Sequence, residues 1–395
     1  MVKRIGLLTV SLSIIFCLMI ILRNSIVSGF INNAVDHSSD SLVETTLYDK
    51  DPHHLWNRIH QHFFIRIAHG KVYGEDELDP LFWAQTKYLR SGASNKTAIS
   101  LLDEFLSSNG ERLITDPLKR AMLQRDLWAV FDWLHRLSPD ERELSSRLAG
   151  VIKRLALPSD QIRALPDSYG DAIASKTFPA DANAERPDDA FLPPDLFAAN
   201  GSWVRIIGDA EKPVAPTHFG VSSRSFFSVF MRLPGGKRET RDYLKKLNSF
   251  PNPIIKSPYF KDQMAINPEV PRFPVGTEFA LVRHMMLIGD KGNLVPTRIV
   301  ESVQLRVYRK LIDGFDAYAN SDRFVDKFEI RLRRSLLFAG KFGGLESIRN
   351  ELFNQFMSHG LDPFEMNRNS PDAVFARDPS RPFALQVGCS VCHDN

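Results

Sequence analysis

Cysteine is scarce in this chain, three residues in 395, so no disulfide framework holds the fold together. An excess of one charge is missing as well: the formal net charge is +3, which gives no electrostatic signal for nucleic acid. Short catalytic signatures are absent too. The sequence holds no G-x-S-x-G, no H-E-x-x-H, no G-x-x-x-x-G-K-[ST] and no G-x-G-x-x-G. Asp and Glu are so frequent that no pair stands out as a general acid and base, and the expectation is a chain that is not an enzyme on its own. What remains is an ordinary globular composition, 43% hydrophobic and 25% charged, long enough for about two domains.

Against that background the two ends carry the signal. Lys3 and Arg4 precede an apolar run from Ile5 to Leu22, and Arg23 and Asn24 stop it. A run of about 18 apolar residues is near the lower limit for spanning a bilayer and longer than the ~7–15 residues of a signal-peptide core. Residues 1–30 therefore read as an uncleaved membrane anchor or signal, with Cys17 inside its apolar part. The leading basic pair places the N-terminus in the cytoplasm and the rest of the chain outside it, facing a bacterial periplasm.

At the other end stands Cys389-Ser390-Val391-Cys392-His393. C-x-x-C-H is the spacing for covalent c-type haem attachment: two thiols three positions apart add to the two vinyl groups of one porphyrin, and the adjacent imidazole reaches the iron. The competing readings are a small disulfide loop, a redox pair or half of a zinc site. Zinc needs four ligands, and the remaining Cys17 lies in the apolar run. A thioredoxin-like pair needs a βαβ context, whereas this one follows a stretch carrying Pro371, Pro379 and Pro382.

On those motif residues the chain resembles c-type cytochromes, a resemblance that covers none of the rest. It implies haem c as cofactor, with Cys389 and Cys392 as attachment points and His393 as the proximal metal ligand, and an electron-transfer or redox-sensing role with a redox partner protein. In c-type cytochromes the pocket and distal ligand come mostly from residues after the motif, whereas two residues follow His393 here. Either the haem packs against the preceding domain or the reading frame is a truncated version of a longer protein. The nearest upstream candidates for the distal side are His359, Met357 and Met366, and the expectation is high-spin or weakly ligated iron. Phe273-Pro-Val-Gly-Thr-Glu-Phe279 and Leu361-Asp-Pro-Phe364 are also similar to exported bacterial proteins of unassigned function, a likeness that brings no activity. The alternative function is an exported scaffold or interaction protein with a vestigial haem motif.

Between the ends, residues 31–50 are a polar spacer. His53, His54, His60, His62 and His69 cluster around Leu55, Ile59, Phe63 and Ile67 at helical spacing; with no H-E-x-x-H, they read as surface or groove histidines. Asp79-Pro80 opens a helix to about Ser91, a second covers Thr97 to Ser107, and a third runs from Pro117 to Leu137. Ser138-Pro139-Asp140-Glu141 is a capping box for a helix reaching Leu155. Residues 50–165 thus read as an α-helical domain, and Pro166 to Pro194, without periodicity, as a linker.

An α+β domain is expected over 195–345. Trp203 to Ile207 and Ser225 to Leu233 read as strands, and Arg238 to Leu247 as a helix with a solvated basic face of Arg238, Arg241, Lys245 and Lys246. Thr277 to Ile288, the turn Gly289-Asp290-Lys291-Gly292-Asn293, and Thr297 to Arg309 form an antiparallel hairpin. His284, Met285 and Met286 lie in its first arm, where a His or Met has the chemistry to ligate iron but Met is usually core filler. Periodicity does not decide between strand and helix from Asp322 to Leu336. A short helix is expected over Ile348 to Ser358, and 346–395 is the tail that carries the haem motif.

Overall fold

The computed structural model describes residues 45–68, 71–76, 78, 88–137, 142–183, 185–186, 189–206, 225–252, 254–256, 264–311, 324–348, 354–355 and 383–384. Its centre is a six-stranded antiparallel sheet in the order β10-β9-β8-β7-β4-β3. The strands are β3 (Val204–Ile206), β4 (Ser225–Arg232), β7 (Glu278–Ile288), β8 (Leu294–Tyr308), β9 (Val325–Leu332) and β10 (Leu345–Ile348). The expected hairpin is its spine: Val282 lies opposite Val303 and Ala280 opposite Leu305, and Gly292, at φ +77°, sits in the connecting turn. Separate two-stranded pieces pair β1 (Arg66–Ala68) with β2 (Lys71–Tyr73), β5 (Ile254–Lys256) with β6 (Met264–Ile266), and β11 (Asn354–Gln355) with β12 (Phe383–Ala384).

The helices are α1 (Leu55–Phe64), α2 (Gly92–Ser107), α3 (Pro117–Leu137), α4 (Arg142–Leu155), α5 (Ser159–Arg163), α6 (Ser168–Ser175), α7 (Gly236–Asn248) and α8 (Arg334–Phe338). The chain is therefore mixed α+β. Much of the Asp79–Ser91 helix and the Ser138–Glu141 capping box lie outside the described residues.

Helix α3 organises the packing because it is buried on more than one side. Ala121 and Met122 join a core with Val282, Leu287 and Ile299 of the sheet, while Leu123, Leu127, Val130 and Leu134 join a second core with residues of α1, α2 and α4. A helix enclosed this way loses the polar face of a surface helix. Its buried polar residues must then find protein partners, since an unpaired buried donor or acceptor costs about 1–3 kcal/mol. Gln124, Arg125 and Asp126 all do. Gln124 donates to the Ile152 and Ile288 carbonyls at 3.1 and 2.9 Å and accepts from Ile288 N at 3.1 Å, tying α4 and β7 to α3. Arg125 donates to Glu301 of β8, and Asp126 receives Arg334 of α8 through two bonds of 2.9 Å.

Where the sequence suggests a linker over 166–194, the described residues carry α6 and supply Tyr169, Ala172, Phe191 and Leu192 to the sheet-side core. Val300 N donates to Ser168 Oγ at 2.6 Å and Tyr169 donates to the Pro193 carbonyl at 2.6 Å. The described residues after Val43 belong to one compact unit. The undecided stretch resolves into both elements, strand β9 followed by α8. Of the helix expected over 348–358, the described residues are strand instead: Ile348 ends β10, opposite Glu329, and Asn354–Gln355 pairs with Phe383–Ala384.

Candidate functional site

Cys389, Cys392 and His393 lie outside the described residues, as do Met357, His359, Met366 and the N-terminal segment 1–30. Among the described residues, no helix is long and apolar enough to cross a membrane, and no group of three or more His, Cys, Asp or Glu is placed to hold a metal ion. Of the described members of the histidine-rich stretch, the side chains of His54, His60 and His62 have partners. His54 Nδ1 caps α1 by accepting from Trp56 N at 3.2 Å, and His62 Nε2 bonds the Ser94 carbonyl at 2.8 Å. His60 is fully buried, donating through Nε2 to the Glu75 carbonyl at 2.9 Å, and stacks on Phe64.

The described residues do form a pocket of about 630 Å³ at the β3 edge of the sheet. Strand periodicity puts Phe226, Ser228 and Phe230 of β4 on one face. Cross-strand register adds Arg205 of β3 opposite Phe230 and His284 of β7 opposite Phe226. The opposite face of β4 packs elsewhere: Val229 and Met231 form a small core with Ile206, Leu233 and Tyr243 of α7. The segment from Leu196 to Ala199, with Trp203, makes one wall, and Lys237 and Arg241 of α7 make another. The first of these walls is held by Asp195, whose Oδ2 accepts from Ser202 N at 2.6 Å and from Ser202 Oγ at 2.7 Å. Burial raises the Asp195 pKa, but the Ser202 bonds outweigh it and hold the carboxyl below its ordinary value. Gly201 is required there, since a Cβ would lie 2.3 Å from the Asp195 carbonyl oxygen.

His284 sits where the β7–β8 register breaks. Arg283 opposes Ser302 but His284 opposes Val300, so Glu301 is an extra residue in β8 with no counterpart. That bulge aims Glu301 at Arg125 and leaves His284 stacked on Phe226, ring centroids 4.7 Å apart and 6° from parallel. Phe197 meets His284 edge-on at 5.5 Å, Phe230 at 5.3 Å and Tyr169 at 4.8 Å, yet remains 45% exposed at the pocket. Burial pushes the His284 pKa down to about 4, with Arg205 adding to the fall and Glu301 opposing it. The imidazole is neutral at pH 7, and its Nδ1 is buried without a hydrogen-bond partner among the described residues.

The lining is thus aromatic and cationic. Arg205, Lys237 and Arg241 contribute positive charge, and no carboxylate is among the described lining residues. Of these, the expectation of a solvated basic face covers Arg241, which is exposed but also borders the pocket; Arg205 and Lys237 carry no sequence signal, because only the fold brings β3 and α7 together. Compared with family models, with curated proteins and with solved structures, the chain matches none.

Proposed function

We propose that this chain carries a covalent c-type haem at Cys389 and Cys392, with His393 as the proximal ligand, and serves electron transfer or redox sensing with a partner protein. The observation that carries the reading is the C-x-x-C-H spacing itself. The donor set fits the group: each thiol S–H adds across one vinyl double bond to give a thioether, and the neighbouring imidazole is a standard axial ligand of haem iron. When bound, haem supplies a one-electron redox couple. The two cysteines would fix its position, and His393 would donate an imidazole nitrogen lone pair to the iron. The N-terminal apolar run of Ile5 to Leu22 supports an anchored chain whose remainder faces the periplasm, the compartment in which such attachment takes place.

The test is to express the full chain together with haem-attachment machinery, denature it, and assay the 44.8 kDa species for covalent haem by its pyridine haemochrome. Covalent haem is expected, and Cys389→Ser with Cys392→Ser removes it. Haem that washes out on denaturation overturns the reading and leaves an exported scaffold or interaction protein in its place. On the loaded protein, a high-spin spectrum is expected; a low-spin spectrum with the long-wavelength band of Met-ligated ferric haem would locate the distal ligand by substitution at Met357, His359 or Met366.

A further inference from the structure

We infer that the pocket at the β3 edge is a binding site for a flat aromatic carboxylate, separate from the haem motif. The rings of Phe226, Phe230, Phe197 and His284 receive the apolar body, and the guanidinium groups of Arg205 and Arg241 receive the carboxylate.

Charge is the first ground. Arg205 and Arg241 make no hydrogen bond or ion pair with any described residue, so no described side chain occupies either guanidinium group. Glu301 and Asp167, the acids that act electrostatically on His284, are paired with Arg125 and Arg298, and other acids are engaged as well. Glu239 accepts from Gly235 N, Asp195 accepts from Ser202, and Asp181 and Glu278 both pair with Arg232. Lys237 spends one donor on the Ala199 carbonyl and adds its charge to the same rim. An anion entering here gains two planar forks suited to a carboxylate and meets no carboxylate among the described lining residues.

Shape is the second ground. The volume lies within the ~300–1,000 Å³ range of small-molecule sites. A large ring such as Phe197, nearly half exposed beside other aromatic faces, presents apolar surface that a flat ligand covers. The neutral imidazole and Ser228 provide polar atoms within an otherwise apolar wall, the composition expected of a site that orients its ligand.

The full-length chain, with haem attached and as the Cys389→Ser, Cys392→Ser variant, is titrated calorimetrically with 2-naphthoate and with the uncharged 2-naphthamide. Naphthoate is expected to bind both forms at one site with equal affinity, and naphthamide at least about tenfold more weakly, since an uncharged amide makes no charge-assisted contact with either arginine. Arg205→Gln and Arg241→Gln should each weaken naphthoate about tenfold, with thermal melts matching the parent because both side chains are exposed. Lys246→Gln, on α7 but outside the lining, should leave binding unchanged. No saturable binding, equal affinity for acid and amide, or an equal loss in Lys246→Gln overturns the inference. Loss of naphthoate binding only when haem is attached also overturns it, since the chain's own cofactor would then fill or cover the pocket. Because the Ser variant carries no haem, failure of the haem reading does not touch this test.

Discussion

Arg125 of α3 donates its Nε–H to Glu301 of β8 at 2.6 Å, and both side chains are completely buried. The same carboxylate accepts from Ser225 Oγ at 2.6 Å and lies 2.8 Å from Arg283. One residue along α3, Asp126 holds the buried Arg334 guanidinium, which also lies over the Phe64 ring. Burial works against the charge on Arg334, but Asp126 outweighs it and the pKa is raised. Two ion pairs of opposite polarity on adjacent residues thus fix α3 in rotation and register against the sheet.

Breaking such a pair leaves a buried charge without its counter-ion, which costs about 3–5 kcal/mol, whereas replacing both partners by apolar residues of similar volume is often neutral. Glu301→Gln is therefore expected to destabilise the chain by about 3–5 kcal/mol in urea unfolding at pH 7. Arg125→Met combined with Glu301→Leu should lose less, since the buried charge and its counter-ion are removed together. A double variant no better than the single one would show that the charges themselves are required.

His60 sets an acid limit. Burial holds its pKa at about 3, against 6.5 in an unfolded chain, with the Arg334 charge adding to the fall. Between those values the unfolded state binds the extra proton, so stability from this group is fully present above pH 6.5 and is lost as pH falls toward 3, at up to about 1.4 kcal/mol per pH unit. His60→Gln does not titrate and keeps a donor for the Glu75 carbonyl. Its unfolding free energy should fall less steeply than the parent's from pH 6.5 to 4; parallel curves would refute the assignment.

The hairpin was legible because Val303, Leu305 and Val307 alternate with Gln304, Arg306 and Tyr308, a pattern fixed by one strand's own geometry. The end of β9 was not, because Arg333 and Arg334 are charged and buried, which inverts the usual polarity rule. The 166–194 stretch escaped for a different reason. Phe191 and Leu192 are single insertions into a distant core, and an isolated apolar pair has no period to detect. The pocket draws on β3, β4, β7, α7 and the segment before β3; His284 was visible as a residue with ligating chemistry, but its aromatic and cationic neighbours are assembled only by the sheet register.

Gly343 offers a sharp contrast with Gly292. At φ +61°, a Cβ on Gly343 would lie 1.8 Å from the Ser168 carbonyl oxygen, a backbone atom at the start of α6 that cannot swing aside; at φ +77°, Gly292 has nothing within 4 Å. Gly292→Ala therefore carries only the left-handed backbone penalty, about 1 kcal/mol. Gly343→Ala adds a steric clash and should cost more than about 2 kcal/mol in the same urea titration. Equal costs at the two sites would mean that α6 is not held against this turn.

Limited proteolysis tests whether residues 166–194 belong to the folded body. Ser168 is tied to β8 through Val300 N, Leu192 N donates to the Pro179 carbonyl at 2.8 Å, and Phe191 meets Phe328 of β9 edge-on at 5.4 Å. A protease needs an extended, released backbone, and releasing this stretch would expose Tyr169, Ala172, Phe191 and Leu192 together. Under native conditions, cuts within 168–178 and 189–196 are expected to be as slow as cuts within α4. Phe191→Ala, which opens a cavity costing about 3–5 kcal/mol, should make the stretch cleavable ahead of α4. Rapid cleavage of the parent chain there, releasing a helical fragment that stays folded, would restore the linker and divide the unit in two.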